Sequence, residues 1–433
     1  MDLTNFRYPG EFEPQSDVFV TWIPDYCGGE GDDDPRKVCA DIVKTLLGHV
    51  NVHVNCGCQT SMERCKDYLG AAGVDVTDST EGVLRNVSTE GAPEGAFSKE
   101  VQFHQFKGWN FYVRDNGPNI MVDGEGGAVH INPRWSNYSM NGKYEPSQQL
   151  DREMGAHMAV ELECYNIVGS EMVSEGGDRE FNGRGVMIAI EETECRRRNP
   201  EYTKEQVEEE YKRIYNLEKI IWLPQPLCQD DTVTKGPLDK LEDGTLVWPS
   251  SLAAHADEYC RFVGPKTILL AEVTDEEAQA SPVNAENKRR IDAAYEILKA
   301  ATDVDGEPFE IVRMPCPELM TCRLPQDDPI VAGWKQFFDE NGGAADDGTP
   351  FPEGDYCFFV AISYCNFLVC NDLVIGQRYW RPGLDEKIRK KDERARAVFE
   401  GLFPDRTVVM VDAFGLNLTG GGVHCWTKNV AKR

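Results

Sequence analysis

β-like and helical runs alternate from one end of this chain to the other, and that rhythm narrows the fold more than any single residue does. Residues 17–22 alternate apolar and polar at the period of a strand, and 35–49 then carry Val38, Ile42, Leu46 and Leu47 at helical spacing. The spacing predicts further strands over 50–54, 108–113, 119–122, 128–131, 185–190, 220–223 and 407–411, and a long apolar hairpin over 356–373. Helices are expected over 61–72, 150–163, within 284–302, and over 395–402. Thr203 followed by Gln206 is a capping-box start, with Val207, Tyr211, Ile214 and Tyr215 following on one face. The theme is strand, strand, helix, strand, about five times over, an α/β architecture. No sharp repeat or linker divides the chain, so 1–433 reads as a single domain. Stretches 78–99 and 341–354 read as surface loops, and about 229–254 as an insertion between a strand and the next motif.

Charge restricts the partners. Lys plus Arg number 45 against 74 Asp plus Glu, a formal charge of −29. Such a field repels nucleic acid and anionic lipid and attracts cationic ligands. No apolar stretch approaches the ~20 residues of a membrane span, and the first residues lack a secretory pattern. Fifteen scattered cysteines in a chain of this length read as reduced thiols of a cytoplasmic protein. Cys39, Cys56, Cys58 and Cys65 make a poor zinc pattern, since C-x-C lacks a matching second pair.

Four polar motifs follow strand-like runs or open turns. They are Arg114-Asp115-Asn116-Gly117-Pro118, Ser174-Glu175-Gly176-Gly177-Asp178, His255-Ala256-Asp257-Glu258 and Gly420-Gly421-Gly422-Val423-His424-Cys425. A thiolate is a strong nucleophile, and glycines beside it allow close approach, although a buried structural cysteine would look the same. Two carboxylates can clamp a planar guanidinium by paired hydrogen bonds, and a histidine can move protons near neutrality. If His255 to Asp257 is a strand, both side chains share one face.

As a set these motifs resemble the agmatine deiminase and bacterial-type peptidylarginine deiminase family of guanidine-modifying enzymes. The resemblance also rests on Pro9-Gly10-Glu11-Phe12-Glu13-Pro14, on residues 191–200, on Lys219-Ile220-Ile221-Trp222-Leu223-Pro224 and on Phe403-Pro404-Asp405-Arg406. It implies a five-bladed pseudo-symmetric α/β propeller of ββαβ-type units with a central-channel active site. It implies Cys425 as nucleophile, Asp115 and Asp257 holding the guanidinium, His255 as general acid then base, and Glu175 as a further guanidinium partner. No metal and no organic cofactor are expected. The expected partner is a small cationic guanidino substrate, agmatine first, hydrolysed to N-carbamoylputrescine and ammonia. A homo-oligomer is compatible with this reading.

The chain departs from the agmatine-type pattern in three places. The insertion separates Asp230-Asp231-Thr232 from His255, and the segments Asn132–Tyr138 and Gly376–Trp380 differ in kind. Trp135, Arg134 and Arg378 are therefore expected around the substrate tail, the two arginines being able to meet a carboxylate. Arginine, peptidylarginine or another alkylguanidine remain open as substrates. So do an amidinotransferase and a noncatalytic binder of guanidino ligands.

Overall fold

Five sheets share one ladder pattern in the computed structural model of the chain, which describes residues 1–29, 31–76, 97–139, 146–250 and 253–433. In each, a first strand pairs antiparallel with a second, and the second pairs parallel with a third. One sheet joins Ile120–Val122, Ala128–Arg134 and Ile167–Val173. The next joins Glu180–Phe181, Val186–Ile190 and Lys219–Leu223. Cys260–Gly264, Thr267–Glu272 and Glu310–Pro315 follow, then Leu368–Cys370, Leu373–Arg378 and Thr407–Asp412. In the remaining sheet the last strand, Thr427–Ala431, pairs antiparallel with Gln15–Thr21, which runs parallel to Asn51–Asn55, with Val101–His104 beyond.

A parallel pair needs a crossover, and here each crossover is helical. Pro35–Leu46, Gln59–Ala71, Pro146–Glu161, Lys204–Tyr215, Pro282–Ala300 and Glu386–Leu402 fill that role. Their starts are written locally. Thr203 and Gln206 complete both halves of a capping box, Asp34 caps a helix with Pro35 at its first position, and Ser281 does the same before Pro282. Val207, Tyr211, Ile214 and Tyr215 are buried, as their spacing predicts. Burying a large apolar side chain is worth about 2 kcal/mol, so this face holds its helix on the sheet. The middle strands are covered on both sides, and Val186–Ile190 is accordingly buried and apolar at every position. No helix among the described residues is long and apolar enough to cross a membrane.

Three expectations change. Residues 108–113 form no strand, because Asp151 draws that segment away from any ladder by accepting the backbone N–H groups of Trp109 (2.7 Å) and Asn110 (3.0 Å). The apolar run 356–373 is not one hairpin. Tyr356–Phe359 pairs with Thr321–Leu324, and only Leu368–Cys370 turns back onto Leu373–Arg378. Apolar character marked both halves as buried and could not reveal that the segment between them crosses the centre. The insertion also has structure: Asp239–Lys240 pairs with Leu246–Val247, and Trp248 bridges to Phe358. The Trp248 ring meets Phe338, Phe351 and Tyr356, joining the insertion to the helix Pro329–Glu340 as an added layer. Residues 341–354 are irregular, as expected, whereas most of 78–99 lies outside the described residues.

Each sheet's first strand is preceded by a short segment that points toward one place. These segments are Val113–Asn116, Gly176–Asp178, Ala256–Glu258, residues 360–367 and Val423–Trp426.

Candidate active site

All five side chains expected to carry chemistry meet in one buried chamber. Cys425 sits in the one-turn helix Val423–Trp426, with Sγ 3.7 Å from Asp257 Oδ2 and 3.8 Å from Glu258 Oε1. His255 reaches in from beside them, its Nδ1 3.7 Å from Asp115 Oδ1 and its Nε2 3.4 Å from Glu175 Oε2. His255 and Asp257 do share a pocket, but through a 3-10 turn over Ala256–Glu258 rather than a strand. Asp230 from the insertion accepts the His255 backbone N–H at 2.8 Å, and Asp178 accepts that of Ala256 at 3.0 Å. These two bonds fix the turn. Ala254 just before it is held at φ 59°, a left-handed conformation that costs a non-glycine residue on the order of 1 kcal/mol.

Two glycine motifs are explained by closeness. A Cβ on Gly177 would lie 2.5 Å from His255 Nδ1 and 3.0 Å from Asp115 Oδ1, and its own N–H donates to Asp115 Oδ1 at 2.9 Å. A Cβ on Gly422 would lie 2.6 Å from Asn366 Oδ1.

Burial and neighbouring charges set the protonation states. Burial, then the charges of Asp257, Glu258 and Asp115, push the Cys425 thiol well above its ordinary range. Burial and the charges of Asp257 and Asp230 likewise push the Glu258 carboxyl well above its ordinary range. Burial would depress His255, but Asp115, Glu175 and Asp257 outweigh it and bring the imidazole up to about 10. His255 is therefore a cation at neutral pH. Glu175 stays ionised, burial being outweighed chiefly by Arg198, whose Nε lies 2.6 Å from Glu175 Oε2 with both side chains fully buried. Arg198 comes from a π-helical turn over Glu192–Arg198, within the motif at 191–200.

Asp257 is oriented from behind. His424 Nδ1 lies 2.6 Å from Asp257 Oδ2, and Arg114 and Arg261 keep His424 below its usual value once burial has lowered it. Its Nδ1 faces Asp257, and its Nε2 lies 2.9 Å from both Arg261 Nη2 and Glu11 Oε1, so the ring bridges Asp257 to that pair. Glu11 closes this arrangement, pairing with Arg114 and with Arg261 (2.6 Å), while Arg261 also meets Glu180 at 2.5 Å. The N-terminal Pro9–Pro14 motif is thus a clasp between two motif loops.

Sequence reasoning missed four contributors. Asn366 precedes the strand Leu368–Cys370, the position that other motifs hold before their own strands; its Nδ2 lies 3.0 Å from Cys425 Sγ and donates to Glu258 Oε1 at 3.0 Å. That repeat position was the available signal. Glu258 was read only as part of a motif. His424, beside the nucleophile, was likewise quoted without a role. Tyr138 donates to Asp115 Oδ2 at 2.8 Å from a left-handed run over Asn137, Tyr138 and Ser139, with φ of 51°, 58° and 62°.

The proposed tail residues stand elsewhere. Arg134 is exposed and pairs with Glu171, on the strand beside it. Arg378 is nearly half exposed, 3.8 Å from Asp412, and donates to the Trp380 carbonyl at 3.1 Å. Trp135 is buried edge-on against Tyr138 at 5.1 Å. None of the three lines the cavity of about 260 Å³ that opens onto Cys425. Their residue types suited a tail anchor, but strand position turned both arginines outward. Donor atoms of Asp257, Glu258 and Cys425 lie within 4.8 Å of one another, a set that could also hold a metal ion. All fifteen cysteines are free thiols; Cys39, Cys56 and Cys65 are buried and Cys58 faces solvent.

Two buried polar atoms in the chamber, Asp257 Oδ1 and His255 Nδ1, have no hydrogen-bond partner. A carboxylate oxygen left so is an acceptor facing a missing donor. The chamber can therefore take a planar cation with several N–H groups and bring its carbon to a thiol.

Two outcomes follow from these electrostatics. Alkylation of Cys425 by uncharged iodoacetamide, followed by peptide mapping, should be roughly tenfold or more slower at neutral pH than that of exposed Cys58, and should keep rising above pH 9. Equal labelling at neutral pH would show a thiolate already present. Glu11→Ala should cost about 3–5 kcal/mol in urea unfolding, because it leaves buried Arg114 and Arg261 without their shared carboxylate. A loss under about 1 kcal/mol would mean the clasp carries little.

The chain is similar to known proteins over nearly its whole length. The model of the Porphyromonas-type peptidyl-arginine deiminase family matches residues 7–430. The agmatine deiminase of Pseudomonas syringae pv. syringae (strain B728a) is 30% identical over 321 residues, 73% of each chain. That of Pseudomonas putida (strain KT2440) is 29% identical over 431 residues, 98% of this chain and 95% of its own. Among solved structures, the agmatine deiminase of Enterococcus faecalis superposes with a TM-score of 0.70 at 22% identity, covering 99% of this chain and 96% of the other. With a family match from Arg7 to Val430 that takes in every one of the site motifs, the chain belongs to the Porphyromonas-type peptidyl-arginine deiminase family.

Proposed function

We propose that the chain is a cysteine-dependent guanidine deiminase that hydrolyses a guanidinium to a ureido group and ammonia, with agmatine as first-choice substrate and N-carbamoylputrescine as product. Membership of the family makes it a hydrolase of C–N bonds, and relatives bearing the name agmatine deiminase support the choice of substrate. The observation that carries the chemistry is the unpartnered Asp257 Oδ1 beside a thiol 3.7 Å from the other oxygen of the same carboxylate. Five sheets with one ladder pattern support reading them as blades around a pseudo-fivefold axis, in one domain.

The guanidinium enters between Asp115 and Asp257, and its charge offsets theirs. That compensation lowers the Cys425 pKa, the thiol gives up its proton to solvent as the guanidinium binds, and the thiolate attacks the central carbon. His255, an imidazolium in the free enzyme, protonates one nitrogen of the tetrahedral adduct; the C–N bond breaks and ammonia leaves. A thiouronium then joins the substrate carbon to Sγ. The now neutral His255 takes a proton from water, the hydroxide adds to the same carbon, and the C–S bond breaks to give the urea and the thiol. Glu175, anchored by Arg198, holds the imidazole in place throughout. The wall offers an arginine carboxylate no Lys or Arg among the described lining residues, which favours agmatine over arginine.

Cys425→Ser should lower ammonia release from agmatine by at least about a thousandfold while calorimetry still detects agmatine binding. A variant keeping about a tenth of the turnover would remove Cys425 from the mechanism.

A further inference from the structure

The carboxyl groups and the imidazole among the described lining residues are all at the reacting end of the cavity. Among its described lining residues, the acids and histidine are Asp115, Glu258 and His255, which already surround Cys425. The rest of the wall includes Tyr26, Cys27, Phe111, Pro329, Ile330 and Trp334. It is built where the 3-10 turn Asp25–Cys27 packs against the helix Pro329–Glu340. Pro329, Ile330, Gly333 and Trp334 fall on one face of that helix by their spacing. Asp328, the nearest acid in sequence, is spent as the helix cap, accepting the Ile330 N–H at 2.8 Å. Trp334 is locked from behind by the rings of Tyr356 and Phe358, at 4.9 and 5.2 Å.

Gly333 is the telling residue. A glycine in mid-helix is disfavoured relative to alanine, yet a Cβ here would meet nothing within 4 Å. Packing does not require it. Its position on the lining face means that the absent side chain leaves room inside the cavity.

The geometry points to a tail subsite that reads the substrate's methylene chain by apolar contact and not its terminal charge. A guanidine with an uncharged alkyl tail is then a substrate at least as good as agmatine, and Ile330, Gly333 and Trp334 set the tail that fits. The inference rests on the deiminase reading above. Away from Cys425 no Asp or Glu is among the described lining residues to meet a charged terminus directly, and a charge without a direct partner resists leaving water. Each methylene brought against the wall instead improves binding about fourfold.

The test is kcat/KM for ammonia release by the whole protein from agmatine and pentylguanidine, which differ only by a methyl in place of the ammonium, with propyl-, butyl- and methylguanidine for scale. Pentylguanidine should equal or exceed agmatine, with a rise of about threefold to fourfold per carbon from propyl to pentyl. Gly333→Val should lower kcat/KM for pentylguanidine roughly tenfold or more and for methylguanidine much less, without lowering Tm. A loss of roughly tenfold on replacing the ammonium by methyl would overturn the apolar subsite and leave the deiminase reading standing. An equal loss for both tail lengths in Gly333→Val would remove Gly333 from it. Ammonia from none of these guanidines would sink the deiminase reading and the subsite with it.

Discussion

Four carboxyl groups, Asp115, Glu175, Asp257 and Glu258, are buried around one thiol, and much of the surrounding protein exists to make that tolerable. Isolated carboxylates cannot be buried in their charged form, so each has a distinct remedy. Glu175 has Arg198, fully buried against it. Asp257 has the imidazole of His424, steadied by Glu11 and two arginines. Asp115 has the tyrosine hydroxyl of Tyr138 and the N–H of Gly177. Glu258 accepts from Asn366, and its carboxyl is pushed well above the ordinary range. Among the described residues His255 is the cation that faces Asp115, Glu175 and Asp257 together, and it answers only part of the negative charge.

That residual imbalance links the fold to the proposed chemistry. An acidic chamber disfavours a thiolate, so Cys425 stays protonated while the chamber is empty. A guanidinium brings the missing positive charge and, in the same event, the electrophilic carbon. In the proposed chemistry the nucleophile is therefore armed by the molecule it attacks, which protects the cysteine from other electrophiles.

The parts of this site that were legible in the sequence were those with a motif of their own. Asp115, Glu175 and Cys425 each stand within three residues of a glycine, His255 and Asp257 share one short motif, and the structure brings all five together. Tyr138 was not legible, because three successive left-handed residues at Asn137–Ser139 follow no turn pattern that sequence alone reveals. Asn366 lay inside a run apolar enough to pass for a continuous hairpin, although the repeat of motif before strand pointed to its position. Arg134 and Arg378 were assigned by chemical type without a depth, and both lie on the outside. The helical crossovers were the clearest part of the fold, since caps such as Thr203 and faces such as Val207 to Tyr215 are local signals. The insertion's partnership with the helix Pro329–Glu340 was invisible, because it depends on contacts far apart in the chain.

The account stands or falls on a bond between Cys425 and the substrate carbon. Acid quenching of the protein during turnover of agmatine, followed by mass analysis of the peptide holding Cys425, tests it directly. An increment equal to agmatine minus ammonia on Cys425, absent in Cys425→Ser, is the predicted result. Steady turnover with Cys425 unmodified at every quench time, including under slowed conditions at low pH, would contradict it.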